Sequence, residues 1–573
     1  MRGRLLRSVL AATAGYVLIT CVFYWHGVRH MGAAFVSDGG DGADFLWAYW
    51  HLPHALLHGH NPFSATGIFF PVGARLGFHT TTPLEAFAIW PLAKVVGEVL
   101  AVNLVNLGAV VLTGLGGWVL ARHECHDDRA AFVAGAAFML LPEHTGRING
   151  HWNLNHAWVL PFALWALLRL YDKPSARRAL VLGAFVGVAF LTDLTYFVFW
   201  LGAAVVIAVA RRRETAALTR RLALGALAAA VLCAPVALPM LMDLRHHELD
   251  PLPQFGGAQE HSADLLGFFT PSTQHPLWGG LFHAVKGTVF GLEEYPYVGL
   301  LILGLALYAV VRRRRLGPVG PWPVIAAGFM LLALGPYLHV NGWTGGRFEY
   351  MGFRFSVPLP FIVFHDLPVL SGLRIPGRFS IMGGLALDVT AAVALARLVR
   401  GRAVRVQWVA CAVALVVVVV DLLPPPPTPL QPEAVPAAYR AIERSPDQGA
   451  VLEVPLTWRD GFGQVGDVAN NDVLLYYATK HHRPVASGMI ARLPNKRRAA
   501  LYGFPVYRQV LSLQHQPGFT DKVDFSDADL RAMGIGFVVY HRSRPMPDVL
   551  AYVQGLGLPQ LADDGDTVVW HVP

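Results

Sequence analysis

Apolar runs, several near the length of a bilayer span, recur from the N-terminus to about residue 422 and are separated by more polar sequence. A run of about 20 such residues in a helix spans the hydrocarbon core, where every backbone N–H and C=O must be satisfied within the segment. This pattern predicts an all-α polytopic transmembrane bundle with about eleven spans. The expected spans are residues 6–25, 102–121, 130–142, 154–170, 179–192, 195–210, 222–242, 297–311, 322–340, 378–397 and 406–422. Residues 84–100 suggest a further, partly embedded helix. The first run has no clear small-residue cleavage site and reads as an uncleaved span.

Basic residues fix the expected orientation. Arg2, Arg4 and Arg7, then Arg122 and Arg129, then Arg169, Lys173, Arg177 and Arg178, lie on alternate loops. Arg211–Arg213 with Arg220 and Arg221, Arg312–Arg315, and Arg397, Arg400, Arg402 and Arg405 continue the alternation. These loops are expected on the cytoplasmic side of a plasma (inner) membrane, with the N-terminus. The long loops 27–101, 243–296, 341–377 and the tail from 424 are then expected outside, where most of the work would be done. The positive net charge does not point to nucleic acid, because these basic clusters sit between apolar runs. Only 15% of residues are charged, against about 25% in soluble domains.

Three regions are expected: a transmembrane domain over 1–423 with its first outer loop at 27–101, a proline-rich linker at 424–432, and an extracytoplasmic α/β domain at 433–573. In the last, GAVLEVPL (449–456), GIGFVVYHR (534–542) and DTVVWHVP (566–573) read as strands. Residues 432–445 and 527–534 read as helices, the second capped by Ser526 or Asp527. Cys21, Cys125, Cys233 and Cys411 suggest neither a metal spacing nor a disulfide framework.

The first outer loop carries the densest chemistry. Asp38, Asp41 and Asp44 precede an aromatic, histidine-rich stretch. Asp41 and Asp44, three apart, share a helix face and could serve as a general base or as helix-start residues. His51, His54 and His58 fall on one face, fitting a metal site or an interfacial helix. His79 could line a site or be a turn histidine, and His151 could bind a polar ligand or cap a helix. Asp193 needs water or protein to face, or marks a tight outer turn, and Glu293 could ligate a metal or open a helix. Arg374 and Arg378 flank a Pro-Gly pair, and guanidinium forks match phosphate oxygens. The basic run LPNKRRAALYG (493–503) reads as a solvated face. No Walker sequence or G-x-G-x-x-G unit supports cytosolic nucleotide-driven chemistry.

The segments GDGADFLWAYWHLPHALLHGHNPF and FFPVG, with GHWNLNHAWVLPFAL and GLRIPGRF, resemble the GT-C integral-membrane glycosyltransferases, more narrowly actinobacterial members. That resemblance implies transfer of a sugar from a polyprenyl-phosphate donor to an acceptor of the cell envelope, a glycan, lipid or protein. It implies that Asp41, or second Asp44, acts as base. The residue chemistry fits this reaction: Arg374 or Arg378 could stabilise the leaving phosphate, with a divalent cation (Mg or Mn) as an optional helper. There is no clear paired-acid metal motif. A transporter or flippase of a lipid-linked glycan, or a non-catalytic assembly factor of the envelope, are the alternatives. A transporter would place charges near the bilayer midplane and show repeated halves, whereas the acid cluster here sits in an outer loop and the halves do not match.

Overall fold

The computed structural model describes residues 2–37, 41–252, 255–273, 275–282, 296–342, 347–350, 353–367, 370–423, 428–432, 434–467, 471–520 and 523–573. The chain forms two compact units. One comprises Met1–Asp38, Val99–Ala234 and Leu252–Leu430; the other comprises Gly39–Glu98, Pro235–Pro251 and Gln431–Pro573.

The first unit is a helical bundle. Each of the expected spans falls on a helix. Among the described residues, five helices are long and apolar enough to cross a membrane: Leu5–Phe23, Glu98–Cys125, Thr219–Arg245, Pro376–Val399 and Val404–Asp421. Leu194–Ala210, Leu300–Val311 and Trp322–Ala333 are shorter apolar helices. The protein is a multi-pass membrane protein.

The helix Pro376–Val399 is the axis of the bundle. In its apolar stretch 94% of the residues are buried, against 11% in that of Thr219–Arg245 and 22% in that of Val404–Asp421. Apolar side chains left outward on the last two suit lipid rather than water. Trp322–Ala333, Leu300–Val311 and Asp128–Leu140 pack on the axial helix. Small residues let backbones approach. A Cβ on Gly117 would meet the Cα of Gly135 at 3.0 Å. Tyr16 stacks on Phe132 at 4.6 Å and donates to the Phe132 carbonyl at 3.0 Å.

Two helices depart most from their expected ends. The segment expected over 154–170 turns α-helical only at Val159, because Trp152–His156 forms a tight 3-10 turn. The segment expected over 322–340 stops at Ala333, two residues before Gly335, whose φ of 73° breaks the helix. A Cβ there would overlap the Ser262 hydroxyl. Phe35 exchanges both backbone hydrogen bonds with Leu430, tying the end of the first helical segment to the start of the tail.

The second unit holds the α/β part. Its main sheet runs Gln560–Asp563, Thr567–His571, Ile535–His541, Ala450–Val454 in spatial order. The last two pair parallel and the others antiparallel. The three expected strands are all present. Ala450–Val454 ends where Pro455 has no N–H to give the ladder. The helix expected from 432 forms only at Tyr439–Arg444, since Pro436 disfavours helical geometry before it. Asp527–Ala532 starts with a capping box between Ser526 and Asp529.

Residues of the first outer loop are built into this unit. The Phe69 and Phe70 N–H groups donate to the Ser487 and Val485 carbonyls at 3.0 and 3.1 Å, and Val485 N–H returns to Gly67 at 2.9 Å. Gly488 must lack a side chain, because a Cβ would lie 2.6 Å from the Phe69 ring.

The basic run at 493–503 is not a free solvated face. Arg497 grips Glu248 with two hydrogen bonds of 2.7 and 2.9 Å, and Lys496 reaches the same carboxylate at 3.0 Å. Glu248 is buried, so its charge needs these partners.

Candidate functional site

In the second unit, the outer-loop helix Gly42–Leu57 begins at Asp41. Asp41 occupies the N-cap position, yet its side chain makes no capping hydrogen bond. It is half-buried, whereas Asp44 in the first turn is buried. Both carboxylates lie at the N-terminal end of the helix. Asp38 lies outside the described residues.

His79 meets Asp44 from the turn before the next helix, Pro83–Val96. Its Nε2 is 3.7 Å from Asp44 Oδ1, and both side chains are almost fully enclosed. Burial, with the neighbouring His51, pushes the His79 imidazole down to about 4. At neutral pH the contact is therefore between a neutral ring and a carboxylate, not an ion pair. His79 Nδ1 accepts the Ala491 N–H at 3.2 Å.

Aromatic rings wall this acid end. Trp47 stacks on His51 with centroids 4.7 Å apart. Burial pushes His51 down to about 4 as well. Trp50 stacks on His54 at 4.4 Å, and His54 and His58 follow with ring centroids 4.2 Å apart. Rings packed in this way do not converge their nitrogens on one point. Among the described residues no group of three or more His, Cys, Asp or Glu could hold a metal ion. The donor set for a divalent cation is therefore not assembled in the described residues.

Glu85 was not singled out in the sequence. It is buried in the first turn of Pro83–Val96 and acts electrostatically on the buried Tyr49 hydroxyl. A lone glutamate after a proline reads as an ordinary helix start, so only packing reveals it.

In the first unit, a second polar cluster forms around the turns between Pro142 and His156. Arg147 and Glu143 form a buried ion pair, and Arg147 Nε also donates to the Glu143 carbonyl at 3.1 Å. Asp193 caps the helix Leu194–Ala210 by accepting the Thr195 N–H at 2.7 Å, and accepts Asn153 Nδ2 at 2.6 Å. Asp193 thus caps a helix and also holds a side-chain partner. Asn155 donates to the Asn106 carbonyl at 2.9 Å. Tyr196 donates to the Leu154 carbonyl, and Arg147, Asp193, Glu143 and Arg378 all act on its hydroxyl. His151 stands half-buried at the start of the turn Trp152–His156.

Arg378 lies in the tight turn Pro376–Phe379 at the head of the axial helix. The Gly377 N–H donates to the His261 carbonyl at 3.0 Å, which anchors the turn. Arg374 and Arg378 are both half-buried. Arg378, Asp193 and the 143–156 turns are brought together; Asp41, Asp44 and His79 gather separately in the second unit. Glu293 lies outside the described residues.

A family model described as a domain of unknown function, DUF6311, matches residues 12–423. No curated protein matches. Among solved structures the chain is similar to the arabinofuranosyltransferase AftD from Mycobacteria, with 14% identity and a TM-score of 0.56 over 99% of this chain and 41% of that one. It is similar to the Archaeoglobus fulgidus oligosaccharyltransferase in complex with zinc and sulfate, with 14% identity and a TM-score of 0.52 over 93% of this chain and 68% of that one. The same oligosaccharyltransferase in its apo form gives 14% identity and a TM-score of 0.51, over 93% and 70%. These likenesses show that the chain shares the fold of these two transferases.

Proposed function

We propose that this chain, which belongs to the DUF6311 family, transfers a sugar from a polyprenyl-phosphate-linked donor to an acceptor outside the cytoplasm. The acceptor is a glycan, lipid or protein of the cell envelope. The chain crosses the plasma membrane about eleven times, with its N-terminus inside and its C-terminal domain outside. One observation carries the proposal: on a GT-C fold, a half-buried Asp41 stands at the head of the outer-loop helix, with the buried Asp44 one turn on.

Asp41 takes the proton from an acceptor hydroxyl. The hydroxyl oxygen then bonds to the anomeric carbon as the bond from that carbon to the phosphate oxygen breaks. The electron pair leaves with the polyprenyl phosphate. The transition state is oxocarbenium-like, as in other displacements at anomeric carbon. Arg374 and Arg378 receive the charge that gathers on the leaving phosphate. His151 and Asp193 belong to the polar surface that faces the donor.

Binding of polyprenyl phosphate to purified protein in nanodiscs tests the phosphate site. Charge-assisted hydrogen bonds are worth about 1.5–3 kcal/mol. Arg378→Ala and Arg374→Ala should therefore each weaken binding by about 10–100-fold. Wild-type affinity in both variants would remove these arginines from the phosphate role.

A further inference from the structure

We infer that His79 is a positioning residue: the C-terminal domain sets its ring, and the ring in turn holds Asp44 within the acidic pair. The inference rests on the sugar-transfer function proposed above and gives the C-terminal domain a part in it.

A neutral imidazole carries one proton, and the nitrogen that accepts a hydrogen bond cannot carry it. His79 Nδ1 accepts the Ala491 N–H at 3.2 Å. The ring proton is therefore on Nε2, the atom 3.7 Å from Asp44 Oδ1. That separation is longer than a hydrogen bond, and such contacts commonly tighten when substrate binds. With both side chains almost fully enclosed, the N–H dipole acts on the carboxylate through little water. It fixes where the Asp44 oxygens point.

Ala491 is itself held on both sides. Its carbonyl accepts the Gly461 N–H at 3.1 Å, and the preceding Ile490 N–H donates to the Arg459 carbonyl at 3.2 Å. Gly488–Met489 pairs parallel with Trp458–Arg459 in a three-stranded sheet. The outer loop is joined to the neighbouring backbone at 485–487. A rigid strand end thus presents one N–H to one ring nitrogen, and the other ring nitrogen addresses the acid. This is how outer partners of a working group usually act, by orientation and tautomer rather than by touching substrate.

Two measurements test this. In the transfer assay, His79→Ala should lower kcat by about 10–100-fold with KM for the donor unchanged. His79→Gln, which can still place an N–H near Asp44, should recover a substantial part of the loss. A raised KM at constant kcat, or Gln no better than Ala, would overturn the inference. The second measurement needs no activity: thermal unfolding of wild type, His79→Ala, Asp44→Asn and the double variant. The double variant should lose less than the two single losses together, by about 2–4 °C. Strict additivity would overturn the inference even in an active enzyme. Non-additivity in a protein that transfers no sugar would leave the coupling standing and refute only the transfer function.

Discussion

Asp41→Asn should slow single-turnover sugar transfer by about 10²–10⁴-fold, the usual contribution of a positioned general base. Donor affinity should stay near wild type, because the lost interaction belongs to the transition state. The substitution separates chemistry from folding unusually well. Asn and Asp are equally good at helix N-caps, and the Asp41 side chain makes no capping bond to lose. A fall in rate would therefore report the missing proton acceptor and not a frayed helix. Rapid-quench kinetics with labelled donor, beside a binding titration, measures both quantities. An unchanged rate in Asp41→Asn with a large loss in Asp44→Asn would move the base to Asp44, one helical turn deeper.

Arg147→Met should be the most damaging change to stability away from the acidic pair. Arg147 is 1% exposed and Glu143 is 5% exposed, and each is the other's charge partner. Removing the guanidinium strands a buried carboxylate, which costs about 3–5 kcal/mol. Adding Glu143→Gln removes the stranded charge and should restore much of the stability. The check is thermal unfolding in one detergent across wild type, the single variant and the double variant. If the single variant melts with wild type, the pair does not hold the 142–156 turns in place.

The bundle was legible because spans announce themselves by length and apolarity, and all eleven expected segments fall on helices. The three strands of the tail were legible for a similar reason: short β-rich runs bounded by proline, glycine or aspartate. The short turns at 146–156 were not, since a 3-10 turn of three to five residues has no period to detect. Nor was the joining of residues 67–70 to 485–487. That link is made by backbone groups, which every sequence carries alike. His79 drew notice as a polar residue near a turn. Its relation to Ala491, 412 positions away, leaves no trace in local sequence. Arg497 and Glu248 illustrate the same limit for charges, because a basic run looks solvated until its buried partner is known. Asp388 is a different case. A carboxylate inside an apolar segment is visible in sequence and costly in a membrane. It is buried in the axial helix, where neither carboxyl oxygen has a hydrogen-bond partner among the described residues.

Purified wild-type protein in nanodiscs, given a panel of polyprenyl-phosphate sugars and envelope acceptors, tests sugar transfer most directly. The products to measure are labelled acceptor and free polyprenyl phosphate. The proposed chemistry predicts that at least one donor yields both in equal amounts, because each sugar moved releases one lipid phosphate. Intact donor with every acceptor, in a folded protein that binds those donors, would contradict transfer and favour a role in carrying lipid-linked glycans or assembling the envelope.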